Sequence, residues 1–362
     1  MNENLFLLSS FESLETFSLF DMFKIMKVVS LFAGCGGLDL GLIKSGHEIV
    51  LATDFDKDCK KTYDHNFDHP LLLKDVKELK GESLPDYDLL TGGFPCQGFS
   101  VANINRSVTD ERNELYLEIV RLLHETKPKY FLAENVMGIL SLGKGEVVKQ
   151  ILKEFSEIAL DEGFPGYEVK LYKLNAANYG VAQGRKRVIF LGVSKQITES
   201  KRQELFDNFP PEPTHTNEDD NKPPFNSLYQ CIGDLPEPGE EGAEKILNHY
   251  GTNHKVRING YIGNRKLSWD KPGPTIVGRG GGTGGPVIAV HPNCKRRFTV
   301  RETARIQSFP DDFEFKGSTT SQFRQIGNAV AVDFAYHLGK VLKEYEDGKL
   351  LPKKDLQTSI KF

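Results

Sequence analysis

The sequence predicts an α/β protein with a doubly wound, mostly parallel β-sheet and a smaller second domain. Short apolar stretches of strand length alternate with segments whose apolar residues recur at helical spacing. Several of these strands end in a glycine or a carboxylate, and the alternation stops near Lys195. Because ligands bind beyond the carboxyl ends of parallel strands, we expect the functional residues there.

The elements of the first half follow in order. Strands are predicted at residues 27–32, 48–53, 88–90, 129–133 and 188–193. Helices are predicted at residues 38–44 and 114–124, where apolar residues lie three and four positions apart.

The second half has a different composition. Residues 208–238 are rich in Pro, Asn and acidic residues, and predict a loop-rich connection. Residues 279–286 form a glycine-dense loop that suits neither a helix nor a central strand. Helical spacing returns at Thr299, and a final helical segment is predicted over 323–342.

Composition excludes several classes of protein. The apolar runs are too short to span a membrane, and the five cysteines include no C-x-x-C pair. We therefore expect no disulfide framework, no metal site and a reducing cytoplasm. The N-terminal residues 1–25 lack a basic start and a small-residue cleavage site, so we interpret them as an extension.

Charge is distributed unevenly along the chain. The net charge is −4, yet residues 251–310 contain eleven basic residues, opposed only by Asp270 and Glu302. Residues 201–250 contain four basic and eleven acidic residues. The local basic surplus favours contact with nucleic-acid phosphates, although solvated surface lysines could produce the same bias.

The first glycine-rich turn has the character of a cofactor site. Phe32-Ala33-Gly34-Cys-Gly36-Gly37 follows a strand and opens a helix, which lets the backbone approach a ligand. Asp54 ends the second strand, where a carboxylate commonly holds ribose hydroxyls, and Phe55 offers a flat face for an adenine. Asp75 is a candidate acceptor for the adenine amine. The turn alone leaves a nicotinamide dehydrogenase, or a tight turn without a ligand, as alternatives.

Chemistry-bearing residues follow three later strands. Cys96 lies between Pro95 and Gln97 just beyond a strand end, where it is either a nucleophile or a packing residue. Glu134 ends the next strand and is either a reacting acid or a helix cap. Arg185 and Arg187 supply permanent positive charge before another strand.

These residue types suit methyl transfer to carbon-5 of cytosine. A thiolate that adds at carbon-6, with a proton given to ring nitrogen 3, converts the ring to a nucleophilic enamine. An arginine at the ring carbonyl stabilises the charge that develops there. Loss of the carbon-5 proton then expels the thiolate.

Six blocks in this order resemble the signature motifs of the bacterial DNA (cytosine-5) methyltransferase family, over about residues 26–342. The blocks are Phe32-Ala-Gly-Cys-Gly-Gly37, Pro95-Cys-Gln97, Glu134-Asn-Val136, Gln183-Gly-Arg-Lys-Arg187, Arg301-Glu-Thr-Ala-Arg-Ile-Gln-Ser-Phe-Pro310 and Gln325-Ile-Gly-Asn-Ala-Val330. The resemblance implies an S-adenosylmethionine-dependent methyltransferase fold with a target-recognition domain. It implies a catalytic and cofactor-binding domain at 26–195, a target-recognition domain at 196–317, and a segment at 318–350 that returns to the catalytic domain.

The resemblance also implies roles for single residues. Cys96 becomes the nucleophile, Glu134 the acid at ring nitrogen 3, Arg187 the contact to the cytosine carbonyl and Arg185 mainly a support of the site. The cofactor S-adenosylmethionine is expected at Phe32, Ala33, Gly34, Gly36, Gly37, Asp54, Phe55, Asp75, Val76, Pro95, Leu115 and Asn328. The family often has tryptophan where this chain has Phe55, which weakens the adenine assignment.

DNA contacts are predicted from charge, from the glycine-dense loop and, for Thr283, from the similarity of Thr283-Gly-Gly to the family's recognition loop. They are Gln97, Arg279, Thr283, Arg296 and Arg297, with Arg279 either reading a base or holding a phosphate. We expect a monomer that acts on double-stranded DNA, with a cognate restriction endonuclease as a possible partner. An RNA (tRNA) cytosine-5 methyltransferase of the same family, or a catalytically silent DNA-binding module, remains an alternative.

Overall fold

The computed structural model describes residues 24–94, 115–218, 221–251, 255–260, 263–278 and 288–350. Two stretches that contain predicted site residues, 95–114 and 279–287, lie outside these ranges.

A seven-stranded sheet forms the centre of the described structure, with the strand order β3-β2-β1-β4-β5-β8-β6. Its strands are β1 (Lys27–Leu31), β2 (Glu48–Asp54), β3 (Leu71–Leu73), β4 (Leu89–Gly93), β5 (Tyr130–Val136), β6 (Tyr167–Asn175) and β8 (Lys186–Ser194), while β7 (Gln183–Gly184) pairs elsewhere. Within this sheet β8 runs antiparallel to both of its neighbours, and the other pairings are parallel. The prediction of a doubly wound, mostly parallel sheet is confirmed.

Helices cover both faces of the sheet. The helices of the described structure are α1 (Gly37–Lys44), α2 (Lys57–Asn66), α3 (Leu115–Thr126), α4 (Glu146–Ser156), α5 (Glu199–Asn208), α6 (Leu228–Ile232), α7 (Val300–Ile306), α8 (Thr319–Asn328) and α9 (Val332–Glu346). Of these, α1–α5 and α9 pack on the sheet, whereas α6–α8 pack in a separate apolar cluster. Adjacent strand residues point to opposite faces, so Val28 packs in the apolar cluster with α1 and α9. Val29 packs in the other cluster, with α3 and α4. Burying both faces explains why these strands are almost wholly apolar.

The final helical segment differs from the sequence prediction. Instead of one helix over 323–342, the chain has α8 and α9 with an extended break at Ala329. The carbonyl groups of Gly327 and Ala329 accept hydrogen bonds from Arg185 instead of continuing a helical ladder. Beyond the break, α9 packs along α1, so the end of the chain returns to the sheet.

The region between α5 and α8 contains only short regular elements in the described ranges, among them α6 and α7. Residues of α6 and α7 pack in one apolar cluster with Cys35, from the first half of the chain, and with Val332, from its end. A short parallel pair links this region to the segment that precedes β8, because β7 pairs with β9 (Gly273–Pro274). This pair brings residues 273–278 to the sheet edge.

Candidate active site

A cavity of about 500 Å³ lies at the carboxyl ends of β1, β2, β4 and β5, a volume typical of small-molecule sites. Seven separate segments line it: Ser30–Gly34 with Leu38, Asp54–Asp56 with Cys59, Gly93–Phe94, Glu134–Val136, Arg185 and Arg187, Ile276–Gly278, and Gln325 with Gly327–Val330. Six of the expected cofactor residues therefore share one cavity with Glu134 and both arginines: Phe32, Ala33, Gly34, Asp54, Phe55 and Asn328.

The turn after β1 is held in place by the end of β2. Gly34 has φ +59°, and the position of its missing Cβ is open space, so the backbone is exposed to the cavity. Its N–H donates to Asp54 Oδ2 at 2.9 Å, while the Asp56 N–H donates to Asp54 Oδ1 at 2.9 Å. Burial raises the pKa of the Asp54 carboxyl. Phe55 beside it is 68% exposed at the cavity edge.

Gly36 and Gly37 of the same turn, which were also expected at the cofactor, pack closely against neighbouring elements. A Cβ at Gly36 would lie 2.4 Å from the Phe67 ring, and one at Gly37 would lie 2.3 Å from the Val330 carbonyl oxygen. Neither glycine belongs to the cavity wall. Here the sequence motif marks a close helix approach, which glycine permits because it has no side chain.

Three further residues expected at the cofactor lie away from the described cavity wall. Asp75 is exposed and accepts from the Lys77 N–H at 3.0 Å, which caps a short 3₁₀ turn. Val76 is buried, and Leu115 packs partly buried against the same apolar cluster. Sequence reasoning could not separate these positions, because an apolar residue after a strand suits a core as well as a ligand site.

Glu134 and Arg187 form an ion pair at the cavity. Arg187 Nε lies 2.7 Å from Glu134 Oε1, and both side chains are about nine-tenths buried. The pair is diagonal across the β5–β8 ladder, where Val136 is the residue opposite Arg187. Gly93 on β4 pairs with Glu134, and its missing side chain leaves the carboxylate reachable from the cavity.

Arg185 serves the architecture of the site. Its guanidinium donates to the carbonyl oxygens of Ile276, Gly327 and Ala329 at 2.8–3.1 Å. Burial lowers the pKa of this guanidinium, with the charge of Arg187 as the next contribution. The sequence interpretation that Arg185 supports the site agrees with these contacts.

Residues 276–278 and 327–328 are a part of the cavity that sequence reasoning largely missed. A Cβ at Gly278 would lie 1.7 Å from Asn328 Oδ1, and one at Gly327 would lie 2.4 Å from the Val277 carbonyl carbon. Two glycines thus allow two backbones to touch at the cavity wall. The Gln-Ile-Gly-Asn block contained a signal for this, because its glycine directly precedes the predicted contact Asn328.

Arg296 and Arg297, which were expected from their charge to contact DNA, form hydrogen bonds and ion pairs with other groups of the protein. Arg296 donates to Glu237 and, through two nitrogens at 2.8 Å, to Glu302, which is 1% exposed. Arg297 is 2% exposed and donates to main-chain carbonyls and Asn264. Their donors are used inside the protein, so both arginines stabilise the fold.

Five predicted residues lie outside the described ranges: Pro95, Cys96, Gln97, Arg279 and Thr283. Their roles stay predictions from the sequence. Within the described ranges, no helix has both the length and the apolar content needed to cross a bilayer. The same ranges contain no group of three or more His, Cys, Asp or Glu side chains placed to hold a metal ion.

Comparison with known proteins gives a consistent result. Residues 26–344 match the family described as C-5 cytosine-specific DNA methylase. The Type II methyltransferase M.FnuDI of Fusobacterium nucleatum is 36% identical over 366 residues, which cover 92% of this chain and 99% of the relative. M.NgoFVII of Neisseria gonorrhoeae, also a Type II methyltransferase, is 36% identical and covers 86% of this chain and 85% of the relative.

Solved structures show the same fold. An E. coli crystal structure described as a putative prophage-encoded DNA modification methyltransferase has a TM-score of 0.61 at 27% identity, covering 88% of this chain and 98% of that one. The S. pombe Dnmt2 methyltransferase has a TM-score of 0.58 at 18% identity, with the same coverage, which supports the fold alone.

Proposed function

Because this chain belongs to the C-5 cytosine-specific DNA methylase family and is a DNA (cytosine-5) methyltransferase, we propose that it acts on a cytosine flipped out of a specific double-stranded sequence, through a covalent adduct with Cys96. The observation that carries the proposal is the placement of the Glu134–Arg187 pair in the same cavity as Gly34 and Asp54. One cavity thus contains residues suited to bind a cofactor, Gly34 and Asp54, together with a carboxylate and a guanidinium group.

The described residues fit S-adenosylmethionine, whose use the methyltransferase family and fold imply in general. The open backbone at Gly34 would admit the cofactor, and Asp54 retains lone pairs that would accept from ribose hydroxyls. Phe55 would stack on the adenine, and Asn328 would close the opposite wall. When bound, S-adenosylmethionine supplies an electrophilic methyl group.

The spacing of Glu134 and Arg187 suits a cytosine ring. Nitrogen 3 and the carbonyl oxygen of cytosine are attached to the same ring carbon, so their partners must lie side by side. The carboxyl and guanidinium groups are 2.7 Å apart at their nearest atoms. We assign Glu134 to protonating nitrogen 3 and Arg187 to the carbonyl oxygen, where it stabilises developing charge in a dry site.

Cys96 completes the reaction. Its thiolate forms a bond to carbon-6 while Glu134 gives a proton to nitrogen 3, and the electron pair of the ring then makes carbon-5 nucleophilic. After the methyl group is on carbon-5, loss of the carbon-5 proton returns an electron pair to the ring. The carbon–sulfur bond then breaks and releases the thiolate. Because stacking shields carbon-6 in a duplex, the target base must leave the helix first.

The similarity to Type II methyltransferases supports a place in a restriction–modification system. We propose a cognate endonuclease acting on the same sequence, a monomeric methyltransferase and a cytoplasmic location. Mapping methylated cytosines by bisulfite sequencing in cells that express the chain gives its activity and its target sequence. An unmethylated genome in cells with soluble protein would contradict the proposal.

The covalent mechanism is tested with 5-fluorocytosine at the mapped target position. Fluorine at carbon-5 prevents the final elimination, so wild-type protein should form an adduct that survives a denaturing gel. Cys96→Ala should bind the same duplex without forming that adduct. If wild-type protein methylates normal DNA but traps no fluorinated DNA, the covalent step is wrong. A parallel assay with transfer RNA tests the RNA alternative.

A further inference from the structure

The basic residues between positions 251 and 310 fall into two groups in space. Four arginines in the described ranges are engaged by carboxylates or carbonyl groups of the protein: Arg296, Arg297, Arg301 and Arg305. Arg301 donates to the carbonyls of Leu247, Pro310 and Phe313, and Arg305 pairs with Asp234 and Asp311. The arginine-rich run at 296–305 therefore adds little free positive charge to the surface.

A second group of basic residues is exposed to solvent and forms no ion pairs within the described ranges. Residues 255–260 and 263–271, which we call the basic loop, carry five exposed cations: Lys255, Arg257, Arg265, Lys266 and Lys271. Arg265 Nε donates to the Gly260 carbonyl oxygen, but none of the five forms an ion pair within the described part of the chain. Asp270 is the sole acidic residue in this stretch of sequence.

Arg297 gives the basic loop a fixed shape. Its guanidinium donates to the Lys255 carbonyl oxygen at 3.0 Å, to that of Gly263 at 2.9 Å and to Asn264 Oδ1 at 2.9 Å. Lys255 lies at one end of residues 255–264, and Gly263 and Asn264 lie at the other. The buried Arg297 side chain therefore holds the two ends of this segment together. Because these bonds hold the two ends of the loop together before DNA binds, binding a polyanion there costs less conformational entropy.

The basic loop also lies beside the active site. Gly263 and residues 273–277 line one small apolar cavity. Ile276, Val277 and Gly278 line the large cavity that contains Glu134. Ile276 and Val277 thus line both cavities, one beside Gly263 of the basic loop and the other beside Glu134. A duplex whose target base enters the large cavity would run close to the loop.

We propose that the basic loop is a phosphate-binding surface for duplex DNA, and that Arg297 positions it without touching DNA. The proposal rests on the proposed function and adds to it the residues that hold the DNA backbone. Lysine and arginine side chains at an exposed loop match phosphate charge and carry no base information. The loop contributes affinity for any sequence, whereas discrimination between bases comes from elsewhere.

Salt dependence of binding measures this role directly. Each phosphate neutralised contributes about 0.9 to the slope of log K against log salt concentration for duplex DNA. Replacing Lys255 and Lys266 with Gln should therefore reduce the slope by about two, for a random-sequence duplex and the target duplex alike. The ratio of affinities for the target and its single-base variants should stay unchanged.

Lys27 and Lys195 give a matched control. They are exposed lysines at the start of β1 and just after β8, at the sheet edge opposite Glu134. The double variant Lys27→Gln/Lys195→Gln changes the net charge equally and should keep the wild-type slope. Thermal unfolding of both double variants verifies that they are folded.

The outcomes separate the two proposals. A wild-type slope in the Lys255/Lys266 variant, with methylation intact, overturns the phosphate surface and leaves the proposed function standing. An equal loss of slope in the Lys27/Lys195 control also overturns it, because the effect would then come from net charge. An effect on transfer RNA binding alone would assign the loop to RNA and reject the DNA surface. If wild-type protein methylates no DNA, the proposed function itself fails.

Discussion

Two glutamate–arginine pairs illustrate the difference between the sheet and the region after residue 196. Glu134 and Arg187 meet 2.7 Å apart at the end of β5, in the wall of the large cavity. Glu302, in the first turn of α7, lies 2.8 Å from Arg296. Glu302 also forms a capping box with Thr299 at the start of this helix. The residue types and the distances are alike, yet one pair borders a cavity that can hold a substrate.

Position in the topology therefore decides what such a pair does. In a parallel sheet the strand ends meet at one edge, so a carboxylate after a buried strand is directed into the ligand crevice. No comparable rule places side chains in a region built mainly of loops. An arginine there forms ion pairs or hydrogen bonds with whichever acceptors lie nearby.

The comparison predicts a large difference between two equivalent substitutions. Glu134→Gln should lower kcat by about 100- to 10,000-fold while binding of DNA and cofactor changes little, because the amide has no acidic proton to give. Glu302→Gln is the matched control and should lower the free energy of unfolding while leaving kcat near that of wild type. The rate of methylation at saturating DNA and cofactor, measured at a temperature where both variants are folded, tests this difference.

A nearly wild-type rate for Glu134→Gln would assign the proton transfer to another group. An equal loss of kcat in both variants would remove the distinction between a reacting pair and a structural one.

A second prediction concerns adjacent basic residues with opposite environments. Arg297→Met should lower the free energy of unfolding by about 2–4 kcal/mol, because the buried Ile288 carbonyl and the part-buried carbonyls of Lys255 and Gly263 lose their donor. Lys295→Met, at an exposed position two residues earlier, should change it by less than about 0.5 kcal/mol. Urea unfolding followed by circular dichroism checks both values, and similar values would contradict the anchoring role of Arg297.

The fold was predictable because its signals are local and repeated. Apolar strands and the glycine-rich turn before α1 identify a doubly wound sheet without any knowledge of long-range contacts. The α8–α9 break was not predictable in this way. Arg185 and Gln307 hold the chain there from other elements, and helical spacing continues through the break.

The site was predictable in part for the same reason. Gly34, Asp54 and Glu134 stand at strand ends and share one cavity, as expected from topology. The basic residues were harder to interpret, since a count of charges does not show which of them meet carboxylates in space. Glu237, from the acidic stretch of the sequence, pairs with Arg296 and removes it from the surface.

Asp39 is a buried acid that differs from Glu302, because hydroxyl groups and not an arginine bind its carboxylate. Asp39 in α1 is fully buried and accepts hydrogen bonds from Ser30 Oγ at 2.6 Å and Tyr63 Oη at 2.7 Å. Burial raises the pKa of its carboxyl from 3.8 to about 6, although both hydrogen bonds act in the opposite direction. The folded protein thus binds this proton more tightly than the unfolded chain.

The contribution of Asp39 to the free energy of unfolding is accordingly greatest below about pH 4. It decreases as the pH rises towards about 6 and is constant above that pH. The total loss is up to about 3 kcal/mol. Asp39→Asn removes the ionisation while keeping a similar shape. The free energy of unfolding of this variant, relative to wild type, should therefore increase by up to about 3 kcal/mol between about pH 4 and about pH 7. Asp68→Asn, at an exposed position, is the control and should show no such trend. A difference that stays constant over this range would mean that Asp39 ionises in the folded protein as easily as in the unfolded chain.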